Sequence, residues 1–402
     1  MRIPLNESTL GPAELDAAKA VLDSGFLTMG RQCAAFEEIF AARLGARHAV
    51  MVNSGSSANL IAVFALANPL CPARDDRLPL EPGSEVIVPA LSWSTSVWPI
   101  IQAGCIPRFI DCDPGTLQST PEMIEAAVSE KTRAIMVVHI LGNGVDMPAV
   151  QEIAQRHKLW LIEDTCESLG VSIDGQQAGS FGDFGTYSFY FSHHITTGEG
   201  GMVITNDDAL AEMLRVQRAH GWVRHMHGRE EVAAQYPEID PRYLFLTTGF
   251  NVRPIEIAAA IGIEQLKSLE RLNGARVEVG RAMEEALAPL RESGDLRLIN
   301  ADRGVARVPF GFPVLCRDAE NKRALQARLE ADGIETRPIV CGNMLRQPAM
   351  SHLPHASSGP LPGADEVMDC GLYWGAHPNM TGDAIARIAE SACDHFSSNA
   401  AV

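Results

Sequence analysis

The feature that most limits this chain is a repeated exchange between short apolar runs and amphipathic segments over its first ~250 residues. Runs such as "EVIVPA" (85–90), "AIMVVHIL" (134–141) and "LWLIEDT" (159–165) are apolar almost throughout, whereas a half-exposed strand would alternate with polar residues. Between them, "TPEMIEAAVSE" (120–130) and "MPAVQEIAQRHK" (147–158) carry the helical period. Strands are expected at 48–54, 85–90, 107–113, 134–141, 159–165, 185–191 and 201–206. Buried strands joined by helices predict an α/β fold with a mostly parallel sheet covered on both faces. Ligands of such sheets sit beyond the strand ends, so the residues that follow the strands are the candidates for function.

The pattern changes after residue 254. One long helical region, 255–290, leads into strand candidates at 307–316 and 335–340 and helices at 318–334 and 382–396. The expected division is a large domain, 1–254, and a linking helix with a smaller C-terminal α+β domain, 255–402. A formal net charge of −17 argues against nucleic acid or an anionic membrane as partner. A phosphorylated small molecule stays compatible, because a pocket can be locally positive. The opening residues lack a basic stretch followed by an apolar one, so no signal peptide is expected. The apolar run "LIAVFALANPL" (60–70) is too short to span a membrane. Nine scattered cysteines without a C-x-x-C pair fit free thiols in a reducing cytoplasm better than a disulfide scaffold or a zinc site.

Four segments carry candidate chemistry, each with a plain structural alternative. In "NSGSSANL" (53–60), Gly55, Ser56 and Ser57 open a helix after a strand; their amides suit a phosphate, or the turn is simply an N-capped helix. "LIEDTCES" (161–168) ends a strand with Asp164, which either pairs with a protonated ring nitrogen or caps the next turn. Trp93, in "PALSWSTSVWP" (89–99), either stacks on a flat ligand or packs as a core or lid residue. "SFYFSHHITTGEGG" (188–201) places His193 and His194 before a glycine turn. Adjacent side chains on a strand diverge and no third ligand lies near, so a metal is not expected; a base or a satisfied polar histidine both fit.

The order of these segments is that of a fold-type I pyridoxal-phosphate enzyme. Over nearly its whole length the chain resembles the DegT/StrS (DnrJ/EryC1) family of sugar aminotransferases. The resemblance rests on "VMVNSGSSANL", "VPALSWST", "EDTCESLG", "SFYFSHHITTGEGG", "RAHGW" (218–222), "GFNVRP" (249–254), "AIGIEQLKSL" (260–269) and "GIETRPIVCGN" (333–343). In that family a lysine six residues before the glutamate of "GEGG" holds the cofactor covalently. Here that position is His193, which is the mark of the 3-dehydratase branch of deoxysugar biosynthesis. The resemblance therefore implies a lyase that removes the C-3 hydroxyl of a nucleotide-linked 4-keto-6-deoxyhexose, GDP-4-keto-6-deoxymannose foremost. It implies pyridoxamine or pyridoxal 5′-phosphate as cofactor, re-aminated by L-glutamate, and a homodimer with shared sites.

Residue by residue, the resemblance assigns His193 as acid and base and Asp164 to the pyridine nitrogen. Trp93 stacks on the ring. Gly55, Ser56, Ser57 and Ser188 hold the phosphate, with Asn251 reaching in from the other subunit. Glu167 meets the ring hydroxyl or the nearby amine, His220 reaches the sugar, and Arg337 anchors the glutamate carboxylate. A sister dehydratase adds an iron–sulfur cluster that needs three cysteines downstream of the match to Cys166. The segment 221–239 has none, so no cluster is expected. The competing readings are a transaminase using another lysine, of which Lys158 and Lys267 are nearest, an enzyme for another nucleotide sugar or a non-sugar ketone, and a silent cofactor-binding protein. A nicotinamide enzyme lacks its G-x-G-x-x-G.

Overall fold

The computed structural model describes residues 2–72 and 74–399. Three sheets organise it. The largest joins β1 (His48–Val52), β2 (Glu85–Pro89), β3 (Ile106–Ile110), β4 (Thr132–Val138), β5 (Trp160–Asp164), β8 (Phe184–Ser188), β9 (Gly201–Thr205) and β14 (Ala356–Ser357). Its spatial order is β1-β9-β8-β5-β4-β2-β3-β14. Only β9 runs against the rest, pairing antiparallel with both β1 and β8. The mostly parallel sheet expected from the sequence is therefore present. Strands β2, β5, β8 and β9 are buried at every residue, the physical cause of their unbroken apolar pattern.

A four-stranded antiparallel sheet joins β10 (Leu296–Leu298), β12 (Gly311–Cys316), β13 (Thr336–Pro338) and β15 (Gly371–Gly375). It has its own core, in which Val314, Leu325, Trp374 and Ile388 are fully buried. A small third sheet pairs β6 (Ser172–Ile173), β7 (Gln176–Gln177) and β11 (Val305–Ala306). The C-terminal chain thus returns to the first half twice, through β11 and β14, in two-residue pairings too short to leave a periodic signal.

The helices follow local chemistry. Met147–Arg156 starts with Asp146 accepting the Ala149 amide and buries Met147, Val150, Ile153 and Ala154, one apolar stripe. The long helical region divides into Glu256–Lys267, Leu269–Ala286 and Ala288–Glu292. Pro289 ends the second stretch, because proline cannot continue a helix and fits the first turn of a new one. The predicted strand at 107–113 stops at Ile110. Its next residue, Asp111, instead accepts the Gly363 and Ala364 amides at 2.8 and 2.7 Å, capping the helix Pro362–Cys370.

Candidate active site

A cavity of about 390 Å³ opens where β1, β2, β4, β5 and β8 end. Asp164 forms its floor. The carboxylate is 4% exposed and is held by three donors: Asn59 Nδ2 and Ser96 Oγ, both at 2.7 Å from Oδ2, and the Cys166 amide at 3.1 Å from Oδ1. Asn59 is fixed in turn by the Thr186 hydroxyl, which donates to its Oδ1 at 2.6 Å. Neither Asn59 nor Ser96 was singled out from the sequence. The one available signal was a lone amide inside the apolar helix "GSSANLIAVFAL", which has to find a buried partner.

The helix Gly55–Leu66 points its N-terminus at the cavity, and Gly55 and Ser56 line it. Ser54 accepts the Ser57 amide at 3.1 Å, so the cap and the cavity divide the first amides between them. The N-capped turn expected from "NSGSSANL" is present. The leading amides of a helix lack intrahelical acceptors and favour an anion. Gly55 leaves no room for a side chain, since a Cβ would sit 2.5 Å from Ser188 Cβ and 2.9 Å from Cys166 Sγ. Gly201 is equally constrained, with a Cβ falling 2.3 Å from the Ser54 carbonyl oxygen. The glycine turn "GEGG" thus lets β9 begin hard against the helix cap.

His193 and His194 diverge, as neighbouring side chains must. His193 is half-buried on the cavity wall, edge-on to Phe310 at 5.1 Å between ring centres. Its Nδ1 is buried without a hydrogen-bond partner. Burial, helped by the Arg276 charge, pulls the imidazole pKa down to about 3, so the ring is neutral at physiological pH. His194 turns inward, is 1% exposed and donates from Nε2 to the Val308 carbonyl at 3.0 Å. Its place is structural.

Glu167 borders the same space. Burial pushes its carboxyl up to about 7; the Leu141 amide, 2.9 Å from Oε2, opposes the rise, and the Asp164 charge adds to it. Ser188 closes the end of β8 on the cavity, and Trp93 stands at the rim, 56% exposed. Phe310, Val340 and Tyr373, from the C-terminal part of the chain, complete the wall. Nothing in the sequence marked them, because their position depends on how the second sheet docks.

The remaining candidates lie elsewhere in the single chain. Ser57 does not line the cavity; its hydroxyl donates to Asn53 Oδ1 at 2.6 Å. His220 is exposed with φ +66° and Asn251 is exposed with Oδ1 accepting from Arg253 Nε at 3.0 Å. Arg337 is also exposed and pairs with Glu335 at 2.6 Å. Among the described residues, no lysine lines the cavity. Lys158 and Lys267 sit on the surface, paired with Asp76 and Glu264.

Comparison with known proteins gives the same geometry a context. Residues 8–392 match the DegT/DnrJ/EryC1/StrS aminotransferase family. A GDP-4-keto-6-deoxy-D-mannose 3-dehydratase of Yersinia pseudotuberculosis is 37% identical over 383 residues, covering 94% of each chain. A solved histidine-to-asparagine variant of a GDP-4-keto-6-deoxymannose-3-dehydratase with bound GDP-perosamine superposes with a TM-score of 0.90 at 34% identity, covering 97% of this chain and 100% of that one. A second structure of such a dehydratase, with a trapped PLP-glutamate geminal diamine, gives a TM-score of 0.88 at 34% identity over 97% of this chain and 99% of the other.

Proposed function

The chain belongs to the DegT/DnrJ/EryC1/StrS aminotransferase family, and from that premise we propose that it is a pyridoxal/pyridoxamine-phosphate-dependent 3-dehydratase. Its substrate is a nucleotide-linked 4-keto-6-deoxyhexose, GDP-4-keto-6-deoxymannose in the first place, and L-glutamate restores the cofactor. The observation that carries this reading is the cavity wall itself: His193 stands there and no lysine does. An imidazole moves a proton but offers no amine for a lasting covalent link, so the site is equipped for elimination rather than amino transfer to the sugar.

The residues present fit the cofactor. The buried Asp164 carboxylate suits a protonated ring nitrogen, and the Gly55 close approach leaves the amides of Gly55 and Ser56 and the Ser188 hydroxyl around a space for phosphate. Bound there, the cofactor supplies an amine for the C-4 ketone and an electron-accepting ring. Asp164 holds the proton that keeps the ring electron-poor, while Asn59 and Ser96 hold Asp164. Trp93 covers one side. His193 Nε2 takes up the proton released in the cavity and, as imidazolium, returns it to the departing C-3 oxygen, so that water leaves. Glu167, with its raised pKa, exchanges a proton near neutrality in the same cavity.

We further propose a cytoplasmic homodimer with shared sites. Asn251 is exposed and outside its own cavity, and exposed Phe26, Leu27 and Ile255 offer apolar area for a second copy. The nine cysteines are all free, and no helix among the described residues is long and apolar enough to cross a membrane. His220 and Arg337 are assigned to the sugar and the glutamate carboxylate on the same basis as in the family. The deciding experiment incubates the purified protein with pyridoxamine phosphate, L-glutamate and GDP-4-keto-6-deoxymannose. Expected are 2-oxoglutarate, ammonia and a sugar nucleotide lighter by one oxygen. A product that has gained an amino group, or no turnover of this sugar, sinks the reading.

A further inference from the structure

Behind His193 lies a charge that the reaction scheme above does not use. Arg276, on the helix Leu269–Ala286, is fully buried, and no carboxylate balances it: burial alone pulls its guanidinium pKa to about 10. Its contacts are backbone carbonyls from three separate parts of the chain. NH1 donates to Pro309, Phe310 and Ala376 at 3.3, 3.1 and 3.2 Å, and NH2 donates to the His193 carbonyl at 3.3 Å. Nε is buried and has no partner. Burying a cation without a counter-ion is expensive, and a methionine or leucine would fill the space at lower cost. The guanidinium also grips the segment that carries Phe310, the ring packed edge-on against the imidazole.

We propose that Arg276 is the positioning residue of this site, clamping the His193 loop to Pro309, Phe310 and the end of β15 and setting its uncompensated positive charge behind the imidazole. The inference rests on the proton-carrying role given to His193. A neutral ring is a base ready to act. Once protonated beside that charge, it is a strong acid that gives its proton back to the leaving oxygen. The charge makes the ring a weaker base and its imidazolium a stronger acid, so it favours return of the proton to the leaving oxygen.

Other titratable groups line the same cavity as His193. Asp164, Cys166 and Glu167 approach from the β5 end, and Tyr190 and Glu199 from its own loop. Tyr373 stands across on β15, and His194 follows in the chain. A carboxylate among these would raise the imidazole pKa. Only the Arg276 charge and burial act in the lowering direction from behind the ring.

The test is a histidine Cε1 NMR titration of the full chain, free and loaded with pyridoxamine phosphate, with the His193 signal identified by its loss in His193→Asn. In the wild type the His193 signal stays at its neutral position from about pH 5.5 to 8.5. In Arg276→Gln the midpoint rises by about one unit or more, read by carrying the titration down to about pH 4, and the acid limb of the kcat profile moves with it. Arg276→Lys, which keeps the charge and loses the fork, stays silent in the NMR window but falls about tenfold in kcat with KM unchanged. A wild-type His193 that titrates near 6.5, or a folded Arg276→Gln protein whose His193 signal matches the wild type, overturns the proposal. If Arg276→Gln does not fold, Arg276→Lys decides: wild-type kcat in that variant overturns the proposal. Failure of the dehydratase reading would appear as absent turnover with these NMR shifts intact, so the two are separable.

Discussion

Glu163 and Asp164 leave the end of β5 side by side and serve opposite purposes. Strand geometry sends them to opposite faces of the sheet. Glu163, with no exposed surface, is saturated: the amides of Gly179, Phe181 and Gly182 donate to it at 2.7, 2.7 and 2.6 Å, and His139 adds its Nε2 at 3.3 Å. His139 is itself closed off, with Nδ1 accepting the Val145 amide at 3.2 Å. Asp164 has three donors and one open side, on the cavity. Both regions hold a buried carboxylate and a histidine. One uses them to staple a loop; the other leaves them facing a space. Residue type does not separate a staple from a site, but the presence of a free edge does.

The largest effect that would sharpen this contrast is His193→Lys. Dehydration should fall by ~10²–10⁴-fold, the usual worth of a positioned acid–base group, and the cofactor should become trappable by borohydride as a covalent adduct. Full turnover in that variant would remove His193 from the open side. Next is Asp164→Asn, expected to lower kcat by ~10²-fold while the melting temperature barely moves.

Glu163→Gln should do the reverse. Losing a charge that four donors surround costs about 1–3 kcal/mol of stability, read as a lower urea midpoint, with the turnover of the folded fraction kept. If Glu163→Gln crippled turnover at unchanged stability, the division between staple and site would collapse. A smaller effect is expected from Gly55→Ala, whose Cβ would press on Ser188 and Cys166. Cofactor affinity, by fluorescence titration, should weaken about tenfold, with the fold intact.

The smallest effect concerns pH. The Glu167 carboxyl is raised in the folded chain from 4.5 to about 7, so the folded state binds more protons than the unfolded one across that range. The sign follows: the contribution of Glu167 to stability is fully present below 4.5 and is lost as pH rises to about 7. In the cofactor-free protein, Glu167→Gln should therefore gain on the wild type in thermal melts as pH rises through that window. A constant difference between the two would show that Glu167 is not held in a desolvating pocket.

Much of this was legible in the chain. The buried strands announced themselves, because a strand covered on both faces has no polar partner to alternate with. Asp164 and Ser188 end such strands, Gly55 opens the helix after one, and Trp93 and His193 lie in the loops that follow them; the resemblance rested on the same segments. Arg276 gave no such sign. In an amphipathic helix rich in charged residues an arginine looks solvated, and only the docking of the 308–310 segment and β15 encloses it. Asn59 was half visible as a polar residue in an apolar helix; Ser96, Phe310 and Tyr373 were not. The pairing of β11 and β14 with the first half of the chain spans long sequence separations and two residues each, too little for any local pattern.

The sequence by itself determined where the longer buried strands of the large sheet run, that they lie between helices, and that an imidazole takes the place of the family's lysine; these follow from local periodicity and from residue identity. Tertiary structure alone decided that Asn59 and Ser96 hold Asp164, that Phe310 and Tyr373 complete the cavity wall, and that a lone buried cation stands behind His193. Those outcomes depend on side-chain direction and on contacts between segments far apart in the chain, and no local pattern encodes them.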